Sequence, residues 1–354
     1  MSEIQQFTPE RAAPTEIERR FNLREQYDHQ KQCLIDNQLI QLMISKEFRG
    51  QYGIVDLDGV ERPIPSYESV RDRLEADKET YLAKAEQGFT RLQLTPFGLS
   101  IQELATRYRE LLKQKKAEGK LLSQTGESLD LDTNQPLWLW ENFLEQDDPA
   151  TGDGLVYGAT EFSTDQHGGK TKRQILAEQT TSGDPWAGWD VDLKEVSTVI
   201  PRQGTNEMVG GRKRLEANQT PIEYLKLLQD AKRAAANPEA MRQELSTQLR
   251  DLAAVEAKLA ELLGYANEDG ETIYGWLTHA LDELYTNNRV LDDFARSDTG
   301  AVCYLIGSFY PAARHVPFAY WDRVDQKAGV GSYGPLYQDP SYGSRTRVKV
   351  KPKL

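Results

Sequence analysis

The sequence predicts an α+β fold: an N-terminal α-helical region followed by a mixed domain that carries a helical insertion. Three observations predict it. Through residues 1–125, apolar side chains recur at the three- and four-residue spacing of amphipathic helices, behind recognisable helix starts. From Leu137 onward that period gives way to short alternating pieces such as Trp189-Asp-Val-Asp-Leu193, which read as half-buried strands. Near the C-terminus aromatic residues concentrate. The 39 positions from Tyr304 to Tyr342 hold six Tyr, two Phe and one Trp, in a chain that is 9% aromatic overall.

The first 125 residues read as a helical arm or anchoring region. Thr15 and Glu18 after Pro14 form a capping box, and Ile17, Phe21, Leu34, Leu39, Leu42 and Met43 supply the apolar stripe of one long polar helix. Glycines and prolines then break it, and Tyr52-Gly-Ile-Val-Asp-Leu57 with Asp58-Gly59 predicts a short hairpin. A second helix follows Ser66 and ends near Gly88, burying Val70, Leu74, Tyr81 and Leu82. A third starts at the capping box Ser100-Ile-Gln-Glu103 and buries Ile101, Leu104, Tyr108, Leu111 and Leu112. Its opening is similar to a helix-turn-helix, but Arg109-Glu110 continue the helix where a turn glycine is needed.

The polar run over 126–135 is the expected linker, and 136–354 the second domain. Leu137-Trp-Leu-Trp140 and Leu155-Val-Tyr157 are strand-like around a polar loop, with a short helix over 171–179. Thr220-Pro-Ile-Glu223 joins an N-cap, a proline at the first helical position and a reciprocal carboxylate. Asn237-Pro238 starts the next helix, whose Met241, Leu245, Leu249, Leu252, Val255, Leu259 and Leu262 keep a helical spacing up to Gly264. These form a two-helix insertion over about 220–264, whose apolar seam packs within the chain or against a partner coiled coil. A last helix over about 272–294 buries Ile273, Trp276, Leu277, Ala280, Leu281 and Leu284.

Charge and composition exclude several classes. The 354-residue chain has a net charge of −12, which disfavours nucleic acid as a ligand because phosphate binding needs a basic surface. The exception is the end, where Arg345, Arg347, Lys349, Lys351 and Lys353 are spaced by two, so that on a strand all charges share one face opposite Thr346, Val348 and Val350. Cys33 and Cys303 are too few and too far apart for a disulfide framework, so a reducing compartment, cytoplasmic by default, is expected, with surface display left open. No basic and apolar leader opens the sequence, and no run of about twenty apolar residues suits a membrane span.

The C-terminal stretch carries the functional reading. Large, stiff Tyr and Trp side chains interspersed with Ser, Gly and Asp are what binding surfaces use, although an ordinary Gly-punctuated β core has the same composition. Glu is absent from Leu284 to Leu354, and Asn is absent after Asn288. Pro317, Trp321, Arg323, Lys327, Ala328 and Pro335 alternate with Tyr, His, Phe, Asp, Val and Ser, and the stretch closes on Tyr342-Gly343-Ser344-Arg345 and the strand-like 346–350. These residues resemble the C-terminus of a diversity-generating retroelement variable protein. In that family, codons rewritten at template adenines yield Tyr, His, Phe, Asp, Val, Ser, Ala, Arg, Gly, Leu or Pro but not Glu, Gln, Lys, Met or Trp. Gln326, Lys327, Gln338 and Trp321 would then be fixed by the template or changed at another codon position.

The resemblance covers about the last fifty residues and, by order of elements only, 135–354. It implies a C-type lectin-like fold in which the last strand pairs with the first, with 303–309, 316–321 and 345–350 as the sheet and with 310–315 and 322–342 presenting hypervariable side chains. The implied ligand-binding residues are Tyr310, His315, Phe318, Tyr320, Asp322, Val324, Ser332, Tyr333, Tyr337 and Asp339, held by a scaffold of Trp321, Arg323, Gly343 and Arg345. The implied ligand is a protein or cell surface, and the protein is expected to be no enzyme. Two other activities of that fold lack their residues: a formylglycine-generating enzyme needs two nearby cysteines, and a calcium-dependent lectin needs Glu-Pro-Asn or Gln-Pro-Asp triplets. Four isolated histidines offer no zinc spacing, His167-Gly-Gly-Lys-Thr171 lacks the first glycine of a phosphate loop, and no nucleophile elbow occurs, so neither metal nor cofactor is expected. The alternative is a structural or assembly protein, such as a virion or scaffold component, forming homo-oligomers through its N-terminal helices.

Overall fold

Two sheets and the helices packed on them organise the chain, whose computed structural model describes residues 13–146, 154–197, 199–295 and 301–350. The fold is α+β. The smaller of the two sheets has four antiparallel strands in the order Glu268–Gly270, Thr346–Lys349, Asp190–Glu195, Phe89–Thr95. Strict alternation gives it two unlike faces. Leu92, Leu94, Val191, Leu193, Val348 and Val350 enter the main apolar core. The opposite face carries Gln93, Asp190, Asp192, Lys194, Arg347 and Lys349, and helix Ile273–Asn287 packs on the strand Phe89–Thr95, where Gln93 Nε2 donates to the Gly275 carbonyl (2.9 Å).

The larger sheet has the strand order Tyr342–Ser344, Val302–Tyr304, Val316–Asp322, Lys327–Tyr333, Leu137–Leu139, and Asp293–Phe294 lies parallel to the end of Val316–Asp322. Register puts Cys303, Ala319, Val330 and Leu139 in one row and Trp321, Ala328 and Leu137 in the next, all on the main core. The other face carries Tyr304, Phe318 and Gly331 in one row and Tyr320, Gly329 and Trp138 in another. Helix Pro221–Ala236 covers part of that outer face, where Tyr224 and Leu228 join Val302, Tyr304, Phe309, Val316 and Phe318 in a second core.

Residues 13–125 do not stand apart as an arm. Ile17, Phe21, Leu34 and Leu111 share one continuous core with Leu193, Leu281, Ala319 and Val350. The cause is the strand Phe89–Thr95, unanticipated in the sequence reading, which pairs with Asp190–Glu195 and so joins the N-terminal residues to the C-terminal sheet. Helix Ile101–Ala117 adds to this by packing on Ile273–Asn287, with the Tyr108 and Trp276 rings edge to face at 6.3 Å. The expected linker is likewise packed: Leu131 is buried and Asp132 N donates to Gln326 O (2.8 Å).

Local expectations are met in kind and differ in extent. The capping boxes at Thr15, Ser100 and Thr220 form, and the hairpin pairs Tyr52–Val55 with Glu61–Pro63. The first long helix divides into Glu16–Phe21 and Leu23–Asp36 at Asn22, whose φ of 45° no helix interior accepts. The insertion has three helices, Pro221–Ala236, Pro238–Gln248 and Leu252–Gly264, because Leu249 is extended and Asp251 caps a new start. Its seam is filled within the chain by Ala234, Met241, Leu245, Val255, Leu259 and Leu262. The last helix stops at Asn288, which is left-handed with φ 58°. The single sheet expected from 303–309, 316–321 and 345–350 is instead divided among three, since Val302–Tyr304 and Val316–Asp322 lie in the larger sheet, Thr346–Lys349 in the smaller, and Ser308–Phe309 pairs separately with Val156–Tyr157; 327–333 is a strand rather than part of a loop.

The charged C-terminal strand is buried rather than half-solvated. Arg347 Nη1 lies 2.9 Å from both Asp190 Oδ2 and Asp192 Oδ2, and Lys194 Nζ lies 2.6 Å from Glu271 Oε2. Lys349 pairs with Asp190, whose carboxyl is lifted by burial but lowered further by the Lys349 and Arg347 charges, for a net drop below the usual range. Lys351 and Lys353 lie outside the described residues.

Candidate functional site

The candidate site is the uncovered end of the larger sheet's outer face. Two glycines on the strand Lys327–Tyr333 make room for it. A Cβ on Gly331 would sit 2.6 Å from Phe318 Cζ and 3.0 Å from Trp138 Cζ3, and one on Gly329 would sit 2.9 Å from Tyr320 Cε1. Aromatic rings of the flanking strands therefore lie over the glycine backbone, covering it as aromatic residues cover sheet glycines elsewhere. From Phe318 a column rises outward: Phe318 stacks on Tyr333 (centroids 4.9 Å, planes 23° apart) and Tyr333 on Tyr337 (4.2 Å, 26°). Tyr342 meets Phe318 and Tyr337 edge to face. The outer members reach solvent, with Trp138 at 38%, Tyr333 at 39%, Tyr337 at 37% and Leu336 at 75% of full exposure.

The ten expected contact residues divide by burial. Val324, Tyr333 and Tyr337 are exposed, and His315, Tyr320, Ser332 and Asp339 are half-buried. Three are buried. Tyr310 is buried in the main core, edge to face with Trp140 (5.6 Å), because its backbone pairs with His315 and turns the ring inward. Phe318 is buried under Tyr333 as the base of the column. Asp322 serves the turn, its Oδ1 accepting from Val324 N (2.8 Å) and Asp325 N (3.0 Å). Asp339 does similar work, accepting from Ser341 N (2.8 Å). His315 Nδ1 and Ser332 Oγ share a hydrogen bond of 3.0 Å, and burial lowers the His315 pKa. Sequence reasoning passed over Trp138 and Leu336; the alternation Leu137-Trp138-Leu139 signalled the first, since both leucines face the core.

The four expected scaffold residues lie beneath or behind this surface. Trp321 is buried on the core side of its strand. Arg323 grips Asp293 through Nε (2.6 Å) and Nη2 (2.7 Å) and reaches Glu127 (2.9 Å), tying the sheet edge to residues near the expected linker. Arg345 holds Asp292 Oδ1 through Nε (3.0 Å) and Nη2 (2.6 Å), and Asp292 Oδ2 accepts from Trp276 Nε1 (2.7 Å). At Gly343 a Cβ would fall 2.3 Å from Ile200 Cγ2, so only glycine fits. The loop that carries Leu336 and Tyr337 is docked as well: Tyr304 Oη donates to Tyr337 O (2.9 Å), and Gln338 Nε2 donates to Asn218 O (2.8 Å). Burial, then the neighbouring phenols, raises the pKa of Tyr304 and Tyr342, and burial with Asp339 raises that of Tyr337, so these rings present neutral hydroxyls.

A cavity of about 380 Å³ beside Tyr157 and Leu228 is lined by charges already paired, including Lys170 with Glu178 (2.6 Å). No group of three His, Cys, Asp or Glu side chains among the described residues is placed to hold a metal ion. Cys33 and Cys303 are buried thiols, each raised in pKa by burial. No helix among the described residues is long and apolar enough to cross a membrane. Comparison with protein-family models, with curated proteins and with solved structures finds no match to this chain.

Proposed function

We propose that this chain is a non-enzymatic binding protein that displays a retroelement-diversified surface to a protein or cell-surface ligand, on a C-type lectin-like scaffold. One observation carries the reading. On the strands Val316–Asp322 and Lys327–Tyr333, the aromatic residues Phe318, Tyr320 and Tyr333 share the outer face, while Ala319, Trp321, Ala328 and Val330 face the core. That is the division between an adaptable surface and a rigid support that a display protein needs. The scaffold reading has to accommodate a last strand, Thr346–Lys349, that pairs with Asp190–Glu195 and Glu268–Gly270 and not with the first strand of the domain, Leu137–Leu139, which lies in the larger sheet. It departs from the simplest form of that fold in the added strand Phe89–Thr95. Exposed Trp138, Tyr333 and Tyr337 are the residue types that concentrate binding energy at interfaces.

The test is the DNA on the 3′ side of the gene. A near-copy of the codons for 307–350, differing only where the copy has adenine and lying beside a reverse-transcriptase gene, is the expected result. Absence of such a repeat from the whole genome would contradict the retroelement reading and leave the face as ordinary sheet surface.

A further inference from the structure

At one side of the aromatic column, Trp138, Tyr320 and Gly329 line a cleft of about 230 Å³ whose remaining members are Asp322, Asp325 and Lys327. Its walls are aromatic and its polar end is acidic. Asp322 is only 7% exposed and its Oδ1 is committed to the turn, yet Oδ2 has no hydrogen-bond partner among the described residues. Lys327 stands opposite Asp322 in the strand pair but turns away, its Nζ lying 3.4 Å from Gln135 Oε1 and 3.7 Å from Asp325 Oδ2. Among the described residues, no cation reaches Asp322 Oδ2. A largely buried anion beside the faces of Trp and Tyr rings attracts a cation twice, by charge-assisted hydrogen bonding and through the ring quadrupoles.

We propose that this cleft receives an arginine side chain of a protein ligand, its guanidinium placed against Trp138 and Tyr320 and donating to Asp322 Oδ2. A planar guanidinium stacks on aromatic rings and forks onto a carboxylate, whereas an ammonium is a compact, strongly hydrated charge. The inference rests on the reading of the outer face as a recognition surface and supplies the chemistry of one contact on it. Since Tyr320 and Asp322 are of the types the template rule lets vary and Lys327 is not, the cleft belongs to this copy of the surface.

The full-length protein, labelled with ¹⁵N, is titrated with N-acetyl-arginine methylamide and, separately, with its uncharged isostere N-acetyl-citrulline methylamide. The Trp138 indole N–H is expected to shift and saturate with the arginine compound, with a Kd on the order of millimolar, and to stay still with citrulline. Asp322→Asn keeps the Oδ1 acceptor for the turn and removes the charge; it should weaken the arginine response about tenfold. Trp138→Ala, at an exposed position, serves as the second variant and is read through the neighbouring Gly329 amide. Equal responses to the two compounds, or no response to arginine, would overturn the proposal. A template repeat beside the gene without an arginine response removes only the cleft. An arginine response without the repeat removes only the retroelement reading.

Discussion

The two sheets solve opposite problems with the same alternation. In the four-stranded sheet one face is apolar and the other is charged, and both are buried, so every cation of the C-terminal strand is matched: Arg347 to Asp190 and Asp192, Lys349 to Asp190. In the larger sheet one face is core and the other is aromatic, and helix Pro221–Ala236 covers only part of the aromatic face. A buried charged face tolerates no change of partner, because removing one ion strands another in a medium that cannot solvate it. An open aromatic face bears its rings on glycine backbone and on one another, so its outermost members can change while the sheet persists. The difference separates a region whose charges are locked in mutual pairs from one whose outer rings reach solvent.

The contrast can be broken most readily at Arg347. Arg347→Met should cost about 3–5 kcal/mol by leaving buried Asp192 with only Lys194 at 3.8 Å and Asp190 with Lys349 alone, measured by urea denaturation. Next comes the glycine support of the open face: Gly331→Ala places a methyl 2.6 Å from Phe318 Cζ and should cost about 1–3 kcal/mol while disturbing the ring stack, visible in near-ultraviolet circular dichroism.

A pH effect sharpens the same comparison, because two of the perturbed histidines, His279 and His29, sit at the charged helix Ile273–Asn287. Burial, together with the charges of Arg91, Arg345 and Lys194, holds the His279 pKa well below 6.5. The unfolded chain therefore takes up a proton first, and stability should fall as pH drops below about 6.5. His279→Gln should flatten that acid limb. His29 acts in the opposite sense and more weakly, since its ring is partly exposed: its hydrogen bond to Asp282 raises its pKa. The stabilisation it gives is complete below about 6.5 and is lost as pH rises through the raised value. The smallest effect is expected at the outermost rings, where Tyr333→Ala and Tyr337→Ala should each cost about 1 kcal/mol.

How much of this could be read from sequence followed from how local its cause was. Capping boxes at Thr15, Ser100 and Thr220 announce helices because the partners lie three residues apart. The strand Phe89–Thr95 escaped notice because its polar members Gln93 and Thr95 are buried and Arg91 is half-buried, so alternation there does not mark a solvent face. Even spacing of Arg345, Arg347 and Lys349 revealed a strand but could not reveal their acids, which approach Arg347 and Lys349 from more than 150 residues away. Within the candidate site, residue type separated Tyr333 and Tyr337 from the scaffold. Position in the stack, which buries Phe318 and turns Tyr310 inward, depends on register across strands and had no local signal.

The most direct measurement is the unfolding free energy of the double variant Tyr333→Ala/Tyr337→Ala set against that of Tyr304→Ala, the fully buried ring in the same row as Phe318. If the outer face is a display surface, the double variant loses no more than about 2 kcal/mol, while Tyr304→Ala alone loses about 3–5 kcal/mol. A double variant that loses as much as Tyr304→Ala, or more, would mean that the outer rings are core, and would contradict the account.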